Sequence, residues 1–387
     1  LEDQLFAATF DLDQLNRKLI KNFPQYRILR NKLDYKSVGE VQARLGENEA
    51  LIEYFMGTER CYIFLLTKDS FEVFSKPKPR TLTNNIRTLT IAINKYQNPE
   101  FITQAHSIYK LLMKDVISRL PEQVSTLRII PDGELSSISF DYLITNPSQV
   151  ENIEKANFLI EDYTIQYHYS ASVLKNVEGH PKPETILIAA PVFENNEDLA
   201  PLVMSEKEAL RINQLARVEG LNTTLLLKSQ ATKPALLSNT SEKDIIHIAS
   251  HSEVNKKNND FSRIFFSPAT EGEIGELNLA ETYNLDMNPR LVTLSSCESG
   301  LGNIVKGEGM MSFTRGFSYS GAGNVIYSLW KVNDRYTSET MIKLYQNAFK
   351  GENYSDALRN AKLELLRNNK ALYPKDWAGF VILSNEL

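Results

Sequence analysis

Two short segments of the 387-residue chain put reactive side chains at matching positions. In DIIHIASHSEVN (244–255) an apolar run ends near Ala249 and is followed by His251. In LVTLSSCESGLG (291–302) a second apolar run ends near Ser296 and is followed by Cys297, with Gly300 and Gly302 in the loop behind it. A cysteine thiolate is a strong nucleophile, and a neighbouring imidazole can take the thiol proton and later return it to a leaving amine. Ligands of open α/β sheets sit beyond the carboxyl ends of the strands. Two adjacent parallel strands would therefore bring His251 and Cys297 together although 46 residues separate them. Ser295 and Ser296 are small enough for a close turn, and the glycines allow backbone angles that turn amides inward.

Each residue alone has a plainer explanation. A lone Cys297 reads as a small buried hydrophobe at a strand end, and a lone His251 as a loop histidine with a hydrogen-bond partner. Their occurrence at matched strand ends is what favours chemistry. His247, flanked by Ile246 and Ile248 inside the same apolar run, reads as a core histidine, and Cys61, beside Tyr62 and Ile63, as structural. GNIVKGEG (302–309) lacks the spacing of a phosphate loop, and GAGNV (321–325) precedes a strand instead of a helix. Neither HExxH nor GxSxG occurs, so no metal and no cofactor is expected.

The elements that must position the pair can be read from periodicity. Leu5, Leu12, Leu15, Leu19 and Ile20 recur at helical spacing, with a break at Pro24, so residues 1–34 form a helical lead-in. ALIEYFM, RCYIFLLT and FEVFSK then read as a three-strand meander from Ala50. Residues 82–118 are helical with a break near Asn98 and Pro99, and LRII (127–130) and TIQYHYS (164–170) are strands. Gly179, Pro181 and Pro183 mark a linker, which divides an α/β half at 35–178 from a second at 179–387. In the second half, strands at 185–190, 223–228, 244–249, 262–267, 290–296, 323–329 and 378–383 alternate with helices. The helices fall near 205–218, 232–239, 308–320, 335–349 and 353–369, with Ser205 and Glu208 placed as a capping box. Apolar strands alternating with helices predict a mostly parallel sheet covered on both faces.

Composition sets outer bounds. Hydrophobic residues at 42% and charged residues at 24% describe a chain that folds, and a net charge of −5 disfavours direct nucleic-acid binding. No apolar run approaches the ~18 residues of a membrane span. Two cysteines exclude a disulfide framework and fit a reducing, cytoplasmic setting. The start at Leu1, with no Met, suits a piece of something longer.

The motifs IIHIASH, LSSCESGLG, GEGMMSFTRGFSYSGAGNVIYSLWKVND and WAGFVIL, taken in order, resemble the CHAT domain, a caspase-like family related to separase. LIEYF, YIFLL and IIPDGELSSISFDYL are similar to the same family's amino-terminal part. Caspases carry their histidine about 50 residues before the cysteine, close to the spacing here. The resemblance implies a caspase-like three-layer α/β sandwich with a mostly parallel sheet. A pseudo-caspase-like α/β half (35–178), which lacks its own His–Cys pair, would precede it. It implies His251 as general base and Cys297 as nucleophile, with the backbone N–H groups of Cys297 and Ser252 stabilising the oxyanion. Ser252 stands where the family usually has glycine. Asp334 matches an aspartate that in separase-like relatives faces the substrate's P1 side chain, the residue before the scissile bond, and Glu308 is a second acid near the site. Asp334 could equally cap a helix beginning near Tyr336, and Glu308 could lie in a helical first turn. TPR repeats precede this domain in related chains, so an amino-terminal TPR-type region or a partner protein would regulate cleavage.

The expected function is thus a regulated cysteine endopeptidase that cuts a specific protein or peptide substrate, after a basic P1 residue. The alternatives are a catalytically inactive caspase-like scaffold, for which Ser252 argues, and a cysteine-dependent hydrolase of small amides.

Overall fold

The computed structural model describes residues 36–386 apart from 147–151, 174–181, 195–198, 256, 271–274, 297–302, 306–308, 312 and 369–372. The lead-in expected at 1–34 and most of the linker at 179–183 lie outside the described residues.

A short helix, α1 (Val38–Gln42), is started by a capping box between Ser37 and Glu40. The expected meander follows as β1 (Glu49–Met56), β2 (Arg60–Leu66) and β3 (Phe71–Pro77), paired antiparallel. Their alternation turns Ala50, Ile52, Tyr54, Cys61, Ile63 and Leu65 inward, against α2 (Leu82–Lys95) and α3 (Asn98–Leu112). The break between those helices falls at Tyr96, whose φ of 56° is left-handed. Pro99 lies in the first turn of α3, where its missing N–H costs nothing. β4 (Thr126–Ile130) and β5 (Thr164–Tyr167) complete the first half.

The second half runs β6 (Thr185–Ala190), α4 (Val203–Val218), β7 (Asn222–Leu227) and β8 (Ile245–Ile248). A small antiparallel sheet of β9 (Ser252–Glu253), β10 (Arg263–Phe266) and β11 (Gly275–Asn278) follows. Then come β12 (Leu291–Leu294), the hairpin β13 (Asn303–Val305) and β14 (Gly309–Met311), α5 (Phe313–Tyr319) and β15 (Asn324–Ser328). The chain closes with α6 (Asp334–Ala348), α7 (Tyr354–Asn368) and β16 (Phe380–Ser384).

Both halves contribute to one eleven-stranded sheet of order β3-β2-β1-β4-β5-β16-β15-β12-β8-β6-β7. Seven of its ten pairings are parallel. Strands β8, β12 and β15 are buried along their whole length, and β6 except at its first residue, as their unbroken apolar runs require. Helices α4, α6 and α7 cover one face, and α5 with the small sheet covers the other, which makes three layers. The halves join where β16, antiparallel to β15, pairs parallel with β5.

Three sequence expectations change. The helix expected at 308–320 is confined to Phe313–Tyr319, because residues 309–311 pair as β14 with β13. The strand expected at 262–267 belongs to the small sheet and lies outside the main one. The capping box expected of Ser205 and Glu208 does not form: α4 begins at Val203, and Glu208 is buried in its second turn.

The seam between the halves holds a buried histidine. His168, just past β5, is 1% exposed and donates Nδ1–H to the Ser384 carbonyl at 2.7 Å. Burial, reinforced by the Arg128 guanidinium, pushes its pKa down to about 3. An unfolded histidine titrates near 6.5, so below that pH the unfolded chain takes a proton that the folded chain refuses, and stability falls as pH falls. At ~1.4 kcal/mol per pH unit, His168 should cost about 2 kcal/mol between pH 7 and pH 5. Urea unfolding at the two pH values checks this: His168→Asn should flatten the difference by about that amount, and an unchanged difference would mean that His168 is not held neutral.

Candidate active site

The two segments singled out in the sequence end side by side. β8 and β12 are neighbouring parallel strands in which Ile248 faces Leu294, and the Ser295 N–H donates to the Ile248 carbonyl at 2.8 Å. Ala249 and Ser250 remain buried beyond β8, and His251 emerges half-buried at the carboxyl end of the sheet. Its backbone is fixed from β10: the Phe265 N–H donates to the His251 carbonyl at 3.0 Å, and the Ser250 hydroxyl donates to the Phe265 carbonyl.

The imidazole is fixed as well. Nε2 lies 2.8 Å from the Ala200 carbonyl, and a carbonyl can only accept. The neutral ring therefore carries its proton on Nε2 and a lone pair on Nδ1. The Phe193 ring packs against the imidazole with centroids 5.5 Å apart and planes at 31°. Val192 and Phe193 hold φ values of 67° and 59°, a left-handed pair without glycine. Such residues cost roughly 1–2 kcal/mol each and persist where the surroundings require them. Here the Leu202 N–H clamps the Val192 carbonyl at 2.7 Å, and Phe193 is buried under the histidine. Phe193 and Ala200 were missed in the sequence. The signal was available, since APVF follows the β6 strand end at the same edge of the sheet.

Cys297 lies outside the described residues, as do Gly300, Gly302 and Glu308. The strand leading to Cys297 is described up to Ser296, which is buried and whose carbonyl accepts from the Ser328 hydroxyl at 2.6 Å. Ser252 opens β9 opposite Ile264 and is absent from the left-handed residues, so its side chain imposes no strain. Asp334 is exposed at the first position of α6, at the carboxyl-end side of β15. The helix starts two residues before the expected Tyr336, and Asn333, not Asp334, is its cap, accepting from the Arg335 N–H at 3.0 Å. A polar cavity of about 360 Å³ lined by Glu253, Asn255, Phe261, Arg263, Glu276 and Asn278 opens beside β9.

His247 is a core histidine, as its flanking isoleucines indicate. It is 0% exposed, with Nε2 2.9 Å from Glu208 and Nδ1 3.2 Å from the Tyr345 hydroxyl, which itself donates to Thr293. Glu208 is thus the buried partner that His247 needed. Among the described residues no group of three metal-ligating side chains comes together, and no helix is long and apolar enough to cross a membrane.

Comparison with known proteins gives this arrangement a context. Tetratricopeptide repeat protein 28 of mouse is 23% identical over 256 residues, 56% of this chain and 10% of that protein. The human protein of the same name is 24% identical over 308 residues, 67% of this chain and 12% of that protein. The chain therefore spans little more than a tenth of the length of these relatives. Among solved structures, Saccharomyces cerevisiae separase in complex with securin superimposes with a TM-score of 0.56 at 10% identity, covering 90% of this chain and 31% of that one. The architecture is accordingly the caspase-like α/β fold expected from the resemblance. A family model, the CHAT domain, matches residues 103–385, and the chain belongs to that family.

Proposed function

We propose that this chain is a regulated cysteine endopeptidase in which His251 is the general base and Cys297 the nucleophile. The observation that carries the reading is the orientation of His251. Its Nε2–H is spent on Ala200, which leaves the Nδ1 lone pair as the base, at the end of the strand beside the one that leads into Cys297.

The chemistry follows from that placement. Nδ1 takes the Cys297 thiol proton and the thiolate adds to the scissile carbonyl carbon. The tetrahedral oxyanion collapses as the C–N bond breaks, and the imidazolium passes its proton to the leaving amine. Water, deprotonated by Nδ1, then hydrolyses the thioester. Two backbone amides suit the oxyanion. The pairing of Phe265 with His251 makes Ser252–Ile264 the non-hydrogen-bonded pair of that ladder, so the Ser252 N–H is directed away from β10. The Ser296 carbonyl is engaged from the β15 side by the Ser328 hydroxyl, and the family resemblance assigns the second amide to Cys297. The extended backbone at Ser252 supports an enzyme over an inactive scaffold, because no glycine is required there.

Asp334 at the carboxyl-end side of β15 supports a basic P1 residue, and the family resemblance offers Glu308 as a second acid. The relatives' name supports a TPR-type region as regulator, which we place at the amino terminus. A fluorogenic peptide library tests the specificity. Wild type should prefer Arg or Lys at P1, and Asp334→Asn should lower kcat/KM for those peptides about tenfold while sparing neutral ones. A neutral P1 preference, or an equal loss for all peptides, would remove Asp334 from the pocket.

A further inference from the structure

The sheet face of β1–β3 that looks away from α2 and α3 is only half covered. α1 and the residue after its turn bury Val41 and Leu45 over Leu51, Leu66 and Ile130, and Gln42 donates to the Thr67 and Ser70 carbonyls at 3.0 and 2.9 Å. Beyond that cover the same face presents Phe55 at 57%, Phe71 at 45% and Val73 at 49% exposure. Tyr62 and Phe64 lie between them: Phe55 faces Tyr62, Phe64 faces Val73, and Leu66 faces Phe71. These side chains form one apolar surface continuous with the α1 contact, on a sheet edge where exposed apolar strands invite association.

We infer that this surface is the docking site of the chain's own residues 12–33. Three observations support that occupant. The sequence 12–33 is joined through two residues to Lys36 and α1, whose Val41 and Gln42 sit on this same face. Leu12, Leu15, Leu19, Ile20 and Phe23 fall on one helical stripe, the pattern that matches an apolar face. The charges are also complementary. Across 12–33 the segment carries Arg17, Lys18, Lys21, Arg27, Arg30 and Lys32 against the single acid Asp13. The half-buried Glu53 lies on the receiving face, opposite Phe64, with Asp132 nearby. Burial and Asp132 raise the Glu53 carboxyl above its ordinary range, and no cation among the described residues offsets either effect. A basic segment laid across the face would supply that cation.

Hydrogen exchange on the full chain, with sedimentation velocity alongside, tests the inference. In wild type the amides of 14–33 should exchange at least about tenfold slower than an unstructured chain, in a monomer. Phe55→Lys with Val73→Lys, both exposed positions, should abolish that protection, and Glu53→Lys should weaken it. Glu122→Lys, exposed and remote, should leave it intact. Unprotected 14–33 amides in wild type, protection indifferent to the lysines, or a dimer that the lysines dissolve would each overturn it, the last by giving the face to a second copy.

Discussion

His251→Ala should lower peptide hydrolysis by about 10²–10⁴ in kcat, the range that a positioned general base supplies. Cys297→Ala should reduce cleavage to background, because no covalent intermediate can then form. The histidine loss should be kinetic, not structural. His251 is half-buried at the sheet rim and, among the described residues, its imidazole is hydrogen-bonded to one carbonyl, so unfolding free energy should move by no more than about 0.5–1 kcal/mol. Circular dichroism and urea unfolding of the purified variant separate the two effects. A His251→Ala enzyme that kept its rate would assign the base elsewhere.

Lys362→Ala should be strongly destabilising, by about 3–5 kcal/mol. The Lys362 ammonium on α7 is hydrogen-bonded to Asp141, and the side chains are 2% and 6% exposed. Asp141 belongs to the turn at Phe140–Tyr142 in the first half, so the pair ties the two halves behind the sheet. Removing the lysine strands a buried carboxylate, to which the Ser139 hydroxyl donates at 3.3 Å. Against a total stability of ~5–15 kcal/mol for a typical domain, that is a large fraction. The remedy is equally specific. Replacing both partners by apolar residues removes the charge as well as its partner, so Lys362→Met with Asp141→Leu should recover most of the loss. Urea midpoints of the single and double variants check it. A double variant no more stable than Lys362→Ala would mean that the cost came from packing and not from the stranded charge.

Much of this arrangement was legible because local pattern and global fold agree. The runs TILIAA, IIHI, LVTL and NVIYS are apolar throughout because their strands are covered on both faces. His251 accordingly lies just past β8, beside β12, the strand that precedes Cys297 in the sequence. What could not be read depends on distant partners. Ser205 and Glu208 have the spacing of a capping box, but the same three-residue interval occurs throughout a helix interior. Burial of His247 opposite α4 decides the matter, by requiring Glu208 inside. The joining of the halves through β5 and β16 pairs residues more than two hundred positions apart, which no periodicity records. Phe193 and Ala200 act through a strained loop and a carbonyl, and neither residue type signals chemistry by itself.

The central claim is that Cys297 is the nucleophile, and the chain's two cysteines make it directly testable. Cys61 is 0% exposed and burial pushes its thiol pKa up, so it should resist alkylation in the folded protein. Native protein treated with an acyloxymethyl ketone bearing Arg at P1, then mapped by peptide mass spectrometry, should carry a single adduct on Cys297. His251→Ala should slow that labelling, and Cys297→Ala should abolish it. An adduct on any other residue, or peptide cleavage that survives Cys297→Ala, would contradict the assignment.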